Sequence, residues 1–419
     1  MGSTQSPGPT KPKRERFPAL KHRDFSLFWA GNVVSRVGTR MRDVALGWQL
    51  WELTHSPVAL GLLGAFRVAP IVVFAMIGGV AADALDRRRL MLVSQSFMAL
   101  SSAMLAFVSF TGHVTPALLY VLVSLSSFAT AFDNPARHAL VTGLVPEEDL
   151  SSALSLGVLG FHASTIVGPA LGGLVLGHSS AAVVHLIDAV SFVAVLGSLL
   201  VIRPRARLTQ AAPVPLRLSA IAPAITFLRR TPVLFWLMMV DFFATFFAGS
   251  LELMPIFADR IFHVGPTGLG LLVSAPALGA VLTSIVVASR PPMVRQGAIV
   301  LVSVAAYGAS IAAFGVIRSF PIALLMLAFS GAADTVSTVI RQVVRQTLTP
   351  DELRGRMTAL NMIFFMGGPQ LGELEAGVLA RYTSAGFSVA SGGAACLLVA
   401  LGFALFVPSL RRLQLKERA

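Results

Sequence analysis

The sequence predicts an all-α membrane protein with twelve transmembrane helices in two pseudo-symmetric six-helix bundles. Three observations predict it. Of its 419 residues, 55% are hydrophobic and only 13% charged, whereas a soluble protein carries roughly a quarter charged residues. The deficit runs along the whole chain: Leu90 to Phe132 contains no Asp, Glu, Lys or Arg, and at roughly 20 apolar residues per span that is room for two. Finally, short stretches recur in order at nearly one spacing. Leu60-Gly-Leu-Leu63 returns as Leu269-Gly-Leu-Leu272, an offset of 269 − 60 = 209, and Gly168-Pro-Ala-Leu-Gly172 returns as Gly368-Pro-Gln-Leu-Gly372, an offset of 200. Pro146-Glu-Glu-Asp-Leu150 is echoed by Pro350-Asp-Glu-Leu353. A tandem repeat of six spans is a transporter architecture with its site near the midplane between the repeats.

Charges, Pro and Gly bound the spans. They are expected at Phe25–Leu53, Val58–Ala82, Leu90–Phe110, Pro116–Ala136, Leu150–Leu176 and Ala181–Ile202 in the first half. In the second half they are expected at Val233–Phe257, Thr267–Ala288, Ala298–Ile317, Pro321–Val343, Thr358–Ala380 and Phe387–Val407. This divides the chain into a cytoplasmic tail (1–24), a first bundle (25–202), a central linker (203–230), a second bundle (231–407) and a C-terminal tail (408–419). The linker contains Pro204, Pro213, Pro215 and Pro223. Its later part, Leu216 to Arg230, reads equally well as a surface helix or as flexible chain.

The net charge of +13 would raise nucleic acid in a soluble protein. Here the basic residues collect in alternate loops: 11–23, 87–89, 203–230, 290–295, 345–356 and 411–418. The intervening loops 52–57, 111–115 and 177–180 are nearly neutral, with Arg260, Arg318 and Arg381 as exceptions. By the positive-inside rule both termini are cytoplasmic. The polar, basic segment 1–16 lacks the apolar core of a cleavable signal. One cysteine, Cys396, allows neither an internal disulfide nor a thiolate metal cluster.

Seven acids interrupt apolar runs: Asp43, Asp133, Asp241, Glu252, Asp334, Glu373 and Glu375. An acid in hydrocarbon is expensive unless it is paired, protonated or facing a wet cavity, so each is a functional candidate. Adding the 209-residue offset to Asp43 gives Glu252, so spans 1 and 7 carry equivalent carboxylates. A carboxyl group alternately exposed to two sides can take a proton from one and release it to the other, biasing a two-state equilibrium. Arg36, Arg40 and Arg42 flank Asp43, and Arg67 lies in span 2, so a permanent ion pair is the competing reading. Glu373 and Glu375 point in different directions, and Glu373 is the better cavity candidate. It would suit a cationic substrate, whereas Arg36, Arg40 and Arg67 would suit an anionic or zwitterionic one. Asp241 is expected near a membrane interface and Asp188 close to the outer surface.

The run Gly78-Gly-Val-Ala-Ala-Asp83-Ala-Leu-Asp86-Arg-Arg-Arg89 resembles the loop signature between spans 2 and 3 of the major facilitator superfamily. It keeps Gly79, Asp83, Arg87 and Arg88 but has Ala84 and Asp86 where Arg and Gly are usual. Asp133-Asn-Pro-Ala-Arg137, Gly168-Pro-Ala-Leu-Gly-Gly173, Leu53-Thr-His-Ser-Pro57 and Arg354-Gly-Arg356 ahead of Gly368-Pro369 are similar to the enterobactin-exporter-like, macrolide-efflux-like branch. The likeness covers Phe25 to Val407.

The resemblance implies a cavity lined by spans 1, 4, 7 and 10. It also implies a conformational latch in which Asp83 caps a helix of the opposite half and the arginines pair with acids near the end of span 4. Asp133 and Arg137, four apart on one helical face, are expected to form a structural ion pair. Asp334 and Arg341 extend the latch region in span 10. Gly168, Pro169, Gly172, Gly173, Gly368 and Pro369 form a pliant helix interface, because glycine permits close approach and proline bends a helix.

No phosphate-binding loop, metal-ligand pair or nucleophile elbow is present in the sequence. The reading is therefore a non-enzymatic secondary transporter with no cofactor and no metal, energised by a proton gradient. It would act as a monomer in the bacterial inner membrane, exporting an amphipathic small molecule such as a drug, macrolide or siderophore. A lysophospholipid flippase is the alternative, and a proton-coupled importer the less favoured one. Lipid and protons are its other partners, and nucleic acid is not one.

Overall fold

The computed structural model describes residues 17–202, 222–249, 251–291 and 293–414, and their regular structure is helical throughout. The first six long helices are α1 (Arg23–Thr54), α2 (Pro57–Ala84), α3 (Arg87–Phe110), α4 (Pro116–Leu144), α5 (Leu150–His178) and α6 (Ala181–Val201). The second six are α7 (Pro232–Ile261), α8 (Gly265–Ala288), α9 (Gln296–Val316), α10 (Phe320–Leu348), α11 (Arg354–Tyr382) and α12 (Ala385–Phe406).

The turn signals of the sequence become helix caps. Ser56 accepts from Ala59 N and Thr115 from Leu118 N, each followed by Pro at the first helical position, where its missing N–H costs nothing. Asp86 accepts from Arg89 N at 2.8 Å to open α3, a favourable place for a carboxylate.

Ten of these helices are long and apolar enough to cross a bilayer. The other two, α1 and α11, are as long, at 32 and 29 residues, but carry Arg36, Arg40, Arg42 and Asp43, and Glu373 and Glu375. Bilayer-facing stripes are plain on the outer helices. On α3 the large exposed side chains are Val93, Phe97, Leu100, Met104, Phe107 and Phe110, spaced three and four apart along one face. In water such a face would be an aggregation site; in lipid it is solvated.

Contacts sort the helices into two groups of six. In the first, α1 packs on α5 and α6, α2 on α4, and α3 on α4 and α6; in the second, α9 packs on α10 and α12, α8 on α10, and α11 on α7. The groups meet mainly through α5 against α8 and α2 against α11. These cross-half contacts gather toward the face opposite the chain termini. There Gly173 lies so close to α8 that a Cβ would stand 2.7 Å from Gly270 Cα, and Thr267 Oγ1 donates to Gly173 O at 3.4 Å. Near the terminal face the same helices pack within their own halves, Gly78 of α2 against Ala131 of α4 and Gly368 of α11 against Phe242 of α7.

One element differs from expectation. Span 7 is not a continuous helix: it is α-helical to Ala248, a 3-10 turn at Leu251–Leu253, α again over Met254–Ile256 and π over Phe257–Ile261. Gly249 and Pro255 weaken the regular hydrogen bonding there. Of the linker, 203–221 lies outside the described residues, while Ala222–Arg230 is a short helix whose Ala224 and Leu228 are buried. Residues 1–16 and 415–419 of the tails also lie outside the description.

Candidate functional site

The central acids and arginines come together on α1, α2, α7 and α11. Asp43 of α1 sits among three guanidinium groups: Arg40 Nη1 at 3.4 Å, Arg42 Nη2 at 3.8 Å and Arg67 Nη2 at 3.8 Å. Arg67, on α2, then reaches across to the other half. Its Nη1 donates to Glu252 Oε1 at 2.7 Å. Glu252 stands on the 3-10 turn of α7, where the helix has lost its regular course. One guanidinium thus bridges the two carboxylates that the 209-residue offset makes equivalent.

Glu373 of α11 lies against the same place from below α2. Its Oε2 rests on the bare Cα of Gly64, where any side chain would collide with it. Gln370, with its amide oriented to satisfy both ends, donates to Gly64 O at 2.9 Å and to Glu373 Oε2 at 3.2 Å. These side chains differ in exposure: Arg40 is 39% exposed, Arg67 29%, Asp43 21% and Glu252 11%, and Glu373 is buried. α1 packs against α2, α4, α5, α6, α7 and α8.

Behind Asp43 lies a buried network that the sequence reading missed. Arg42 Nη1 stands 3.4 Å from Asp188 Oδ2 of α6 and donates to Ser102 and Ser126, both at 3.1 Å. Ser102 and Thr39 also donate to Asp188. Asp188 was expected near the outer surface; it is fully buried in the first half. Seven residues into α6, it sits about 10 Å below that helix's start, and a buried acid at that depth requires its partner.

On α4, Arg137 donates to Asp133 Oδ2, its Nε at 3.0 Å, and to Asn32 Oδ1 of α1; Gln95 of α3 donates to Asp133 Oδ1 at 2.8 Å. The second half repeats the theme with the acid moved. Arg341 of α10 pairs with Asp241 of α7 at 2.7 Å and approaches Asp334 at 3.8 Å. Asn32 plus 209 is Asp241, so each arginine ties its helix to the same place on the half's leading helix. Asp241 is buried in a helix pair, and Arg341 works inside one half.

The latch elements are apart. Asp83 is exposed and has no partner among the described residues. Arg87 donates to Ala139 O at 3.1 Å, and Arg88 to the carbonyls of Leu199 and Leu200, not to carboxylates; Asp133, the acid near that end of span 4, is already held by Arg137. Gly79 faces open space, and its neighbour Gly78 makes the close contact.

The Gly-Pro motifs do pack as pairs. Gly168 and Gly172 receive α1 at Arg40 and Met41, while Gly368 and Gly372 receive α7 at Phe242 and Phe246. Pro169 and Pro369 stand inside α5 and α11. Glu375, two residues past Glu373, is only half-buried.

A family model for transmembrane secretion effectors, a branch of the major facilitator superfamily, matches residues 15–418. The chain belongs to that family. It is accordingly a multi-pass membrane transporter and not an enzyme. Among related proteins, it is 24% identical over 395 residues to the enterobactin exporter of Citrobacter koseri, covering 93% of each chain. It is 29% identical over 402 residues to the multidrug efflux pump Tap of Mycolicibacterium fortuitum, covering 91% of this chain and 95% of that one. The fold matches solved transporters: the xylose transporter of E. coli in its inward-open conformation, at TM-score 0.69, 13% identity and 94% and 98% coverage, and a bacterial homologue of ferroportin, at TM-score 0.68, 16% identity and 91% and 99% coverage. Among the described residues no cluster of metal-ligating side chains occurs.

Proposed function

We propose that the chain is a secondary active exporter that exchanges protons for an amphipathic small molecule by alternating access. In this reading the termini and the open side of the inter-half space are cytoplasmic, and the monomer works in the bacterial cytoplasmic membrane. The observation that carries the reading is the ion pair between Arg67 and Glu252. It joins the two halves at midplane and shares its guanidinium with Asp43. A proton arriving on Glu252 or Asp43 cancels one of the two charges that hold Arg67. The bridge then loosens, and the halves are freer to part on the far side. Binding that differs between two states is what shifts an equilibrium. At 100 mV one proton charge supplies about 2.3 kcal/mol, which sustains roughly a 50-fold substrate gradient at about 1.4 kcal/mol per decade. The relatives named as exporters support the direction.

The test uses purified protein in vesicles with an imposed pH gradient. Substrate-dependent proton flux is expected in the wild type and lost in Glu252→Gln and Asp43→Asn. Undiminished, gradient-driven flux in both variants removes these acids from the coupling.

A further inference from the structure

The two halves of the central site differ in charge, and the difference bears on the substrate. On the first half five guanidinium groups gather, those of Arg36, Arg40, Arg42, Arg67 and Arg137, against three carboxylates, Asp43, Asp133 and Asp188. Asp188 is taken by Arg42, Asp133 by Arg137, and Arg67 finds Glu252 across the gap. Asp43 is divided among three arginines at 3.4 to 3.8 Å.

That leaves Arg36. It is partly buried in mid-helix, one turn before Arg40, and among the described residues no carboxylate lies within ion-pair distance of it. A guanidinium held inside a membrane without a paired carboxylate is costly, and Asp133, the acid whose charge reaches Arg36, is itself held by Arg137 and Gln95. Beside Arg36, Arg40 lies with its Cζ 5.8 Å from the ring centre of Phe161 on α5, a residue that is 43% exposed. Residues i and i+4 on a helix project from one face. Arg36 and Arg40 thus offer two forks to one anion, with an aromatic surface next to them.

The acids offer a cation less. Glu373 is buried against Gly64 and engaged by Gln370. Asp334, on the facing half, is 46% exposed but has Arg341 at 3.8 Å, and Asp241 takes the remaining reach of Arg341 with Arg345 beside them.

We infer that Arg36 and Arg40 form the head-group subsite for an anionic amphiphile, a carboxylate, sulfonate or phosphate joined to an apolar body that lies on Phe161. This rests on the reading above that the space between the halves is the transport path, and it names the class of solute that path takes.

Fluorescein and rhodamine 6G share a fused aromatic core and carry opposite charges, so they separate the possibilities. Each is offered to the full-length protein in vesicles, with dye movement and proton flux recorded together. Fluorescein is expected to move in preference to rhodamine 6G. Arg36→Ala should raise its KM about tenfold while leaving the maximal rate within about twofold, and Arg36→Lys should recover most of the loss. Preference for rhodamine 6G, or a fluorescein KM unchanged in Arg36→Ala, overturns the assignment. The two readings fail separately. Arg36-dependent fluorescein movement without proton flux keeps the subsite and removes the coupling; proton-coupled rhodamine 6G movement does the reverse.

Discussion

Arg260 of α7 lies with its guanidinium carbon 4.8 Å from the ring centre of Trp51 of α1. The two positions are equivalent in the repeat, since 260 − 51 = 209, so the pseudo-symmetric partners meet each other. Contact between equivalent positions marks where the axis relating the halves passes, at the far end of the inter-half space. Asp259 completes the contact by accepting from Trp51 Nε1 at 2.9 Å. The π-helical turn over Phe257–Ile261 adds the residue that lets Asp259 and Arg260 both reach one indole. Such turns are frequent at functional positions.

Trp51→Ala should therefore weaken closure of the far face. A charge-assisted hydrogen bond contributes about 1.5–3 kcal/mol and an exposed cation–π contact about 0.5–1 kcal/mol, so the open population should rise about tenfold or more. In a Cys396→Ala background, maleimide labelling of Thr267→Cys measures this, because Thr267 sits in the α5–α8 seam. Labelling at the wild-type rate would contradict the gate.

Arg67 and Glu252 should tolerate exchange but not loss. Arg67→Glu or Glu252→Arg alone leaves like charges facing between the halves and should lower stability by about 3–5 kcal/mol. The double exchange should restore most of that, the non-additivity expected of residues in contact. Thermal unfolding in detergent measures the recovery, and purely additive losses would show that the pair contributes nothing. Transport should stay impaired in the exchanged protein, because the acid then stands on α2 and not on the broken turn of α7.

Asp133 is fully buried and holds α3, α4 and, through Arg137 and Asn32, α1. Asp133→Ala strands the Arg137 guanidinium and should cost about 3–5 kcal/mol, seen as a lower unfolding temperature. The substrate KM of whatever folded protein remains should not rise. A raised KM at unchanged stability would instead place Asp133 on the substrate path.

Asp83 should show the opposite split. It is exposed and has no partner among the described residues, so Asp83→Asn should change stability by no more than about 0.5 kcal/mol. If its partner is met only when the terminal face closes, transport should slow about fivefold or more. Transport at the wild-type rate would dismiss the latch.

Much of this was legible from residue spacing. The equivalence of Asp43 and Glu252 came from one offset in a motif on neighbouring helices. Pro, Gly and charges bounded most spans to within a few residues of the helices found. What stayed hidden was pairing between helices, because a sequence orders residues along a helix but does not say which faces meet. Arg67 was visible, yet its bridge to Glu252 depends on α2 lying across the interface. Asn32 could have been matched to Asp241 by the same arithmetic, but an uncharged residue in an apolar run draws no attention. Asp188 was misplaced because an acid near a predicted helix start reads as interfacial until its burial depth is known. The break in α7 had weak signals in Gly249 and Pro255, neither of which specifies a 3-10 turn followed by a π turn.

The two long helices too polar to pass for ordinary spans, α1 and α11, have a consequence for biogenesis. Each central charge adds about 2.5–3.5 kcal/mol to lateral partitioning of an isolated segment from the translocon, and α1 carries four. It gains Arg67 only when α2 follows it and Asp188 only when α6 does. Stable integration of α1 therefore waits on downstream synthesis, and glycosylation-site mapping of truncated nascent chains should find it seated only once those later segments have emerged.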